Sequence, residues 1–321
     1  MKRILTGFQP SGILHVGNYF GAIRPIVEMQ SQGEVFVFLA DLHALTSLKD
    51  PERLRHYVRE AAIDLLACGV DPSRTIFWRQ SDVHEHTELM WVLLTVTPMG
   101  LLERCHAYKD KVARGLPAGA GLFTYPVLQA ADVLLYEPDL VPVGKDQKQH
   151  LEVTRDIAIK INETYGEVFR LPEAHIPEEI ATIPGVDGQK MSKSYGNTID
   201  IFMDEKALRK RVMSIVTDST PLEAPKDPTN STIVQLYALV AEPEQVEVMR
   251  QEFRAGGVGY GHFKQRLFEQ LWEYFAPIRA RRQELLDDPG YVDAVLREGG
   301  ERARAIAAET MQRVREAVGI R

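Results

Sequence analysis

Two segments of the chain carry residue types able to hold the phosphates of a nucleotide. The first is Gly7-Phe8-Gln9-Pro10-Ser11-Gly12-Ile13-Leu14-His15-Val16-Gly17-Asn18. It lies between a short β-favouring stretch at 3–8 and a stretch of helical composition at 16–30. Gly7, Gly12 and Gly17 let backbone approach a ligand closely. A helix starting there offers free N–H groups to an anion, with His15 and Asn18 placed to hydrogen-bond phosphate. The second segment is Lys190-Met191-Ser192-Lys193-Ser194, which follows the turn-forming Pro184-Gly185-Val186-Asp187-Gly188. Two ammonium groups three residues apart, with hydroxyls beside them, suit a polyphosphate, and a loop suits a group that closes over substrate and then releases product. Each segment by itself has a plainer reading. The first contains no dinucleotide or P-loop fingerprint and equally describes a capped strand–turn–helix; a lone Lys-x-x-Lys is ordinarily a solvated turn. A third set, Tyr125, Gln129 and Asp132, falls at i, i+4 and i+7, one face of a helix that can line an aromatic pocket. The apolar neighbours Ala130, Ala131, Val133, Leu134 and Leu135 argue against a surface carboxylate at Asp132.

The elements that must position these residues alternate. Strand-like runs at 3–8, 34–40, 75–78 and 140–143 are interleaved with helical patterns at 16–30, 52–68, 88–103, 125–136 and 146–162; Pro98 and Gly100 are set to divide the third of these. Such alternation implies right-handed βαβ units and a parallel sheet, with ligands beyond the carboxyl ends of its strands. After about residue 200 the pattern is mostly helical, at 231–240, 262–279 and 302–318. Pro225-Lys226-Asp227-Pro228 and Asp287-Asp288-Pro289-Gly290 read as loops. The expected fold class is α/β: a Rossmann-like parallel sheet with helices on both faces over 1–200, then a smaller all-helical C-terminal domain over 201–321. The last helix is free to pack back on the first domain.

Composition narrows the class further. The 321 residues are 45% hydrophobic and 26% charged, an ordinary globular make-up that excludes low-complexity and disordered classes. Thirty-eight basic against 45 acidic residues, a net charge of -7, does not suit a general nucleic-acid binder, although a local basic face can still hold RNA. The only cysteines, Cys68 and Cys105, are too few and too far apart for a disulfide scaffold or a Cys-x-x-Cys site. Gln9-Pro10-Ser11-Gly12 interrupts the N-terminal uncharged run, so no signal peptide is expected. Pro117 and Pro126 break the uncharged stretch at 115–131, so no membrane span is expected. The expectation is a soluble, cytoplasmic protein.

Together, the two phosphate-type segments resemble the signature motifs of class I aminoacyl-tRNA synthetases, His-Ile-Gly-His and Lys-Met-Ser-Lys-Ser. Here the first reads His15-Val16-Gly17-Asn18, with Asn18 in place of the second His, and the second matches in full. Residues 17–24, 124–136 and 141–156 (GNYFGAIR, TYPVLQAADVLLY and VPVGKDQKQHLEVTRD) resemble the bacterial tryptophanyl-tRNA synthetase family. The resemblance runs through the whole chain and is densest over 3–194.

That resemblance implies a ligase that activates L-tryptophan with ATP and transfers it to tRNA(Trp). Lys190, Lys193, His15 and Asn18 would carry catalysis, with Mg²⁺ brought on the ATP phosphates and no protein-bound metal. ATP would contact Gln9, Pro10, Ser11, Gly17, Asn18, Gly144, Lys145, Asp146, Ile183 and the Lys190-Met191-Ser192-Lys193-Ser194 segment. Asp146 also reads as a plain helix cap. Asp132 would accept the indole N–H, and Tyr125, Gln129, Val141, Val143, Leu5 and Gly7 would complete the pocket, with Gln147 toward the ammonium. Gln129 stands where the family more often has Met. The family also implies a homodimer with tRNA spanning both subunits. Residues 87–114 (Trp91, Leu93, Leu94, Met99, Leu101) are an interface candidate, with core packing as the other reading. Lys109 or Lys111 is a candidate phosphate contact. Arg279, Arg281 and Arg282 of the anticodon-reading domain are candidate tRNA contacts, and all five also read as solvated surface residues. Alternatives are a tyrosine-specific ligase, a cofactor nucleotidyltransferase using the same His-x-Gly chemistry, and a non-catalytic RNA-binding paralogue. A dinucleotide dehydrogenase lacks its glycine fingerprint here.

Overall fold

The computed structural model describes residues 2–115, 119–142, 148–171, 174–175 and 182–320. Strand β1 (Lys2–Phe8) leads through a loop into a helix at Val16–Asn18 (α1), which passes through one π-helical turn at Tyr19–Ile23 into α2 (Arg24–Met29). Strand β2 (Gly33–Leu39), the short α3 (Asp41–Ala44) and α4 (Pro51–Ala67) follow. Asp50 caps α4, accepting from the Glu52 and Arg53 N–H groups, and Pro51 begins it. Strand β3 (Thr75–Arg79) runs into a 3₁₀ turn at Gln80–Asp82. Next come α5 (Glu85–Val96), α6 (Met99–Glu103), α7 (His106–Ala113), α8 (Ala120–Leu134), β4 (Val141–Pro142), α9 (Lys148–Tyr165) and β5 (Ala174–His175). Thr97-Pro98 separates α5 from α6, as the proline requires.

The strands are parallel. β2 pairs with β1 and β3, Leu140 bridges to Ile4 on the other side of β1, and β4 pairs with β5. The order is therefore β3-β2-β1-β4-β5, and the strand order reverses beside β1. In an open sheet, that is where ligands bind. β2 is buried on both faces. Val35, Val37 and Leu39 pack into one apolar cluster with α2 and α4, while Phe36 and Phe38 pack into another with α5, α8 and α9.

The chain continues through α10 (Glu205–Met213), α11 (Thr232–Tyr237), α12 (Pro243–Ala255), α13 (Tyr260–Tyr274), α14 (Ala276–Asp287) and α15 (Pro289–Val318). Helices α10 to α14 share the first cluster, and an aromatic group of Tyr19, Phe20, Tyr274 and Phe275 ties the π turn to the α13–α14 junction. The helix expected at 262–279 is split at Phe275, because Pro277 lacks the N–H that would continue it. The loop expected at 287–290 shrinks to Asp288, which caps α15 through the Tyr291 N–H with Pro289 at the first helical position. α15 lies along the open edge of β3. A Cβ on Gly299 would stand 1.8 Å from the Phe77 carbonyl oxygen, so only glycine lets helix and strand backbones meet there. This contact covers an edge that would otherwise be open to pairing. Among the described residues no helix is long and apolar enough to cross a membrane.

Candidate active site

The loop after β1 turns at Gly12, whose φ of +92° favours glycine, and reaches α1 at His15. His15 and Asn18 form a reciprocal cap. His15 Nδ1 accepts from the Asn18 N–H at 3.2 Å, and Asn18 Oδ1 accepts from the His15 N–H at 3.4 Å. Because Nδ1 accepts, the ring proton sits on Nε2. Burial, helped by the charge of Lys193, lowers His15 to about 4, so the imidazole is neutral at pH 7 and serves as an N–H donor. The backbone N–H of residue 18 sets the His15 tautomer, while the Asn18 side chain closes the cap on the His15 backbone N–H.

The second segment is built as a hairpin. Gly185 N–H donates to Gln189 O at 2.7 Å, and Met191 N–H donates to Ile183 O at 2.8 Å. Asn197, only 2% exposed, holds its interior. Asn197 Oδ1 accepts from Ser192 N–H at 2.7 Å, while Nδ2 donates to Lys190 O at 3.0 Å and to Asp187 Oδ1 at 2.8 Å. Ser192 caps the 3₁₀ turn at Lys193–Tyr195, and Arg211 of α10 donates to the carbonyls of Thr198 and Gly196 at 2.6 and 2.5 Å.

The two segments meet. Val16 N–H donates to Ile199 O at 2.9 Å, and Ile201 N–H donates to Leu14 O at 3.2 Å, which brackets a bridge between His15 and Asp200. Gly17 N–H points at Met191 Sδ, 3.3 Å away, and a Cβ on Gly17 would come 3.1 Å from His15 Nδ1 and 3.3 Å from Met191 Cβ. Lys193 Nζ crosses to the first loop, donating to Ser11 O at 3.1 Å and to Ser11 Oγ at 3.4 Å. Between them lies a cleft of about 390 Å³ lined by Ser11, His15, Asn18, Lys190, Met191, Ser192, Lys193 and Tyr195. Burial lowers the Lys193 ammonium, while Asp200 and Asp64 oppose that shift. Asp64 is itself raised to about 6 by burial, although it accepts from Arg282 Nε at 2.7 Å. Among the other expected residues, Gln9 and Ser194 are exposed, while Pro10 and Ile183 are buried behind the loops. Val143, Gly144, Lys145, Asp146 and Gln147 lie outside the described residues. Among the described residues no group of three or more His, Cys, Asp or Glu side chains is placed to hold a metal ion.

The aromatic set sits on α8, as the spacing predicts, but at different depths. Tyr125 and Gln129 are half-buried and Asp132 is 1% exposed. Leu5 on β1 and Val141 on β4 are buried in the apolar cluster that also takes in α8, and a Cβ on Gly7 would strike the Phe38 ring at 2.5 Å. The Tyr125 hydroxyl is hydrogen-bonded to His150 Nε2 at 2.5 Å, and burial pushes Tyr125 up to about 12. Asp132 accepts three hydrogen bonds of 2.7 Å, from His43 Nε2, Gln80 Nε2 and His86 Nδ1. Burial alone would raise its carboxyl, but the attraction and hydrogen bonds of the two imidazoles outweigh that and hold it at about 2. His43, Gln80, His86 and Asn197 escape the sequence reading. The first three follow the carboxyl ends of β2 and β3, which is the one signal that could have found them.

Several candidate contacts prove to be internal. Leu93 and Leu101 belong to the core, whereas Trp91 and Met99 are 70% and 64% exposed. Arg282 bridges Asp64 and Glu60, Arg279 stacks 3.6 Å from the Trp272 ring centroid, and Arg281 pairs with Glu284 at 2.6 Å. Arg282 ties α14 to α4 and Arg279 ties it to α13, whereas the Arg281 pair lies within α14 and leaves that side chain exposed. Lys109 is exposed on α7, which also carries Lys111.

A parallel sheet that reverses its order beside β1, with a His-x-Gly helix start facing a Lys-Met-Ser-Lys-Ser hairpin, defines a class I tRNA synthetase. The chain belongs to the family described as tRNA synthetases class I (W and Y), whose match spans residues 1–276. It is 54% identical over 319 residues to the tryptophan–tRNA ligase of Rhodopirellula baltica, covering 99% of this chain and 100% of that one. It is 53% identical to the tryptophan–tRNA ligase of Fusobacterium nucleatum over 321 residues, covering 100% of this chain and 98% of that one. The crystal structure of Campylobacter jejuni tryptophanyl-tRNA synthetase complexed with ADP and tryptophan is similar with a TM-score of 0.94 at 52% identity, covering 99% of each chain.

Proposed function

We infer that this chain catalyses the ATP-dependent activation of L-tryptophan and its transfer to tRNA(Trp). One observation carries the reading: two segments 182 residues apart in sequence close on one cleft, joined by the Lys193–Ser11 contact. Full-length likeness to tryptophan–tRNA ligases at about half identity favours tryptophan over tyrosine.

In the first step a carboxylate oxygen of tryptophan attacks the α-phosphorus of ATP. The bond from that phosphorus to the bridging oxygen breaks, and pyrophosphate leaves. In the second step a hydroxyl of the terminal tRNA ribose attacks the carbonyl carbon, the bond from that carbon to the phosphate oxygen breaks, and AMP leaves with the hydroxyl proton passing to its phosphate or to water. The attacking carboxylate is already ionised, so no protein nucleophile is needed; the protein positions the reactants and stabilises phosphate charge. Lys193 and Lys190 supply positive charge, neutral His15 supplies its Nε2–H, the backbone N–H at 18 keeps that tautomer, and the Asn18 side chain fixes the helix start beside it. Ser11, Gly17, Ser192 and Ser194 offer small polar surfaces to the nucleotide. Mg²⁺ enters with ATP. Gly144, Lys145 and Asp146 are taken to serve the nucleotide, and Val143 and Gln147 the amino acid. Asp132 is taken as the acceptor of the indole N–H, with Tyr125, Gln129, Val141, Leu5 and Gly7 around it. Residues 1–200 form the catalytic domain and 201–321 the anticodon-reading domain. The enzyme works as a cytoplasmic homodimer, and Trp91 and Met99 are among the exposed apolar side chains that can serve that contact. Amino-acid-dependent ATP–pyrophosphate exchange with each of the twenty amino acids, followed by charging of tRNA(Trp), tests the reading. Exchange driven by tyrosine and not by tryptophan would refute it.

A further inference from the structure

Asp132 is a buried carboxylate whose acceptor capacity can be counted. Each oxygen offers two lone-pair positions. Oδ1 takes both Gln80 Nε2 and His86 Nδ1 and is full; Oδ2 takes His43 Nε2 and keeps one position. The donors come from three different elements: α3, the 3₁₀ turn after β3, and α5. The carboxylate plane is therefore fixed from three directions. Behind it, His86 Nε2 lies 3.0 Å from the Tyr136 hydroxyl. With Nδ1–H committed to the carboxylate and Nε2 against the Tyr136 hydroxyl, the His86 ring is held from both ends. The Gln80 amide cannot turn over, because its carbonyl would then face the carboxylate. Its Oε1 is buried without a hydrogen-bond partner among the described residues, so packing alone does not explain why a glutamine is kept there.

We propose that His86 and Gln80 are positioning residues for amino-acid selection, filling Oδ1 of Asp132 so that one acceptor position, on Oδ2, is left to read a single N–H of the substrate ring. The inference rests on the reading of Asp132 as the indole acceptor. It makes the site a donor test. A ring with N–H at that point completes the shell; a ring with sulfur or oxygen there sets a lone pair against a fixed, desolvated carboxylate and is rejected. The groups that face Asp132 are His43, Gln80, His86 and Tyr136. Glu85, paired with Arg304 of α15, stands next to His86, and Tyr125 with His150 of α9 lies beyond His43. With the Oδ1 donors gone, the carboxylate is free to turn and easier to protonate.

The test is pyrophosphate exchange by the full-length enzyme with tryptophan and with its benzothiophene analogue, in which sulfur replaces the ring N–H. His86→Leu and Gln80→Met each remove one donor, and His86→Asn restores an N–H donor near the Nδ1 position. The expected result is a rise of about tenfold or more in KM for tryptophan in the first two variants. KM for ATP should stay within twofold, and preference over the analogue should fall by about tenfold. His86→Asn should recover most of the loss. A merely structural role would impair tryptophan and its analogue alike and leave the preference between them unchanged, which would overturn the proposal. Asp132→Asn separates the two layers. If it leaves tryptophan KM unchanged, the acceptor reading fails and this inference with it. If it raises KM while His86→Leu and Gln80→Met keep the parent's analogue preference, the positioning role alone fails.

Discussion

Asn197→Ala removes a side chain that touches no substrate in the proposed reaction, yet it should disable the Lys-Met-Ser-Lys-Ser hairpin. Its amide closes two backbone bonds in that hairpin, from Ser192 N–H at 2.7 Å and to Lys190 O at 3.0 Å. Both are shielded beneath a residue 2% exposed. At about 1 kcal/mol for each net hydrogen bond, the ordered hairpin loses about 2 kcal/mol relative to open forms. At 1.4 kcal/mol per decade this lowers the competent population by up to about thirtyfold. The contact with Asp187 is left out of the sum because that carboxylate is in water. Asn197→Asp should do no better than alanine, since it keeps the acceptor for Ser192 N–H but sets a buried carboxylate oxygen against Lys190 O and Asp187 Oδ1. Steady-state pyrophosphate exchange at saturating tryptophan and ATP reads the change in kcat, and equilibrium dialysis reads tryptophan affinity. The expected pattern is a kcat loss of about ten- to thirtyfold for alanine with tryptophan affinity within twofold. A kcat within twofold of the parent, or an equal loss of tryptophan affinity, would refute the reasoning.

Lys193→Ala should slow exchange by about 10²–10³-fold, the usual loss on removing a charge-stabilising donor, while tryptophan affinity measured without ATP stays within twofold. An equal fall in both would contradict the assigned role. His15 makes stability depend on pH. Its folded value of about 4 lies below the usual 6.5, so the folded state resists protonation. The stability it supports is present above pH 6.5 and is lost as pH falls toward 4, by about 3 kcal/mol. His15→Asn, which can still cap α1, should remove that slope; urea unfolding at pH 7 and pH 4.5 on parent and variant measures it, and parallel slopes would sink the assignment.

How much could be read in advance follows the range of each signal. The run at β2 announced a strand buried on both faces, Asp50-Pro51 announced the start of α4, and the spacing of Tyr125, Gln129 and Asp132 announced one helical face. All are local patterns of apolar residues and caps. The helix at 16–30 was legible, but its π turn was not. That turn sets Tyr19 against Phe275 from the far end of the chain. The last helix, expected at 302–318, begins at Pro289 and runs through Gly299-Gly300, although glycine costs helix stability; only the β3 edge beneath Gly299 shows why no side chain fits there.

The sequence by itself determined the chemistry on offer: a capped His-x-Gly turn, a paired-lysine loop, a carboxylate among apolar residues, and a strand–helix alternation that brings strand ends to one side. Tertiary structure decided which of these groups act together. Lys193 reaches Ser11 across 182 residues of chain, and Asp132 meets His43, His86 and Gln80 across 89, 46 and 52. Arg282, a surface cation by its sequence context, is drawn 218 residues back to Asp64. The physical reason is that caps and periodicity act over a few residues, whereas a buried charge takes whichever partner the packed sheet and helices bring within hydrogen-bond reach.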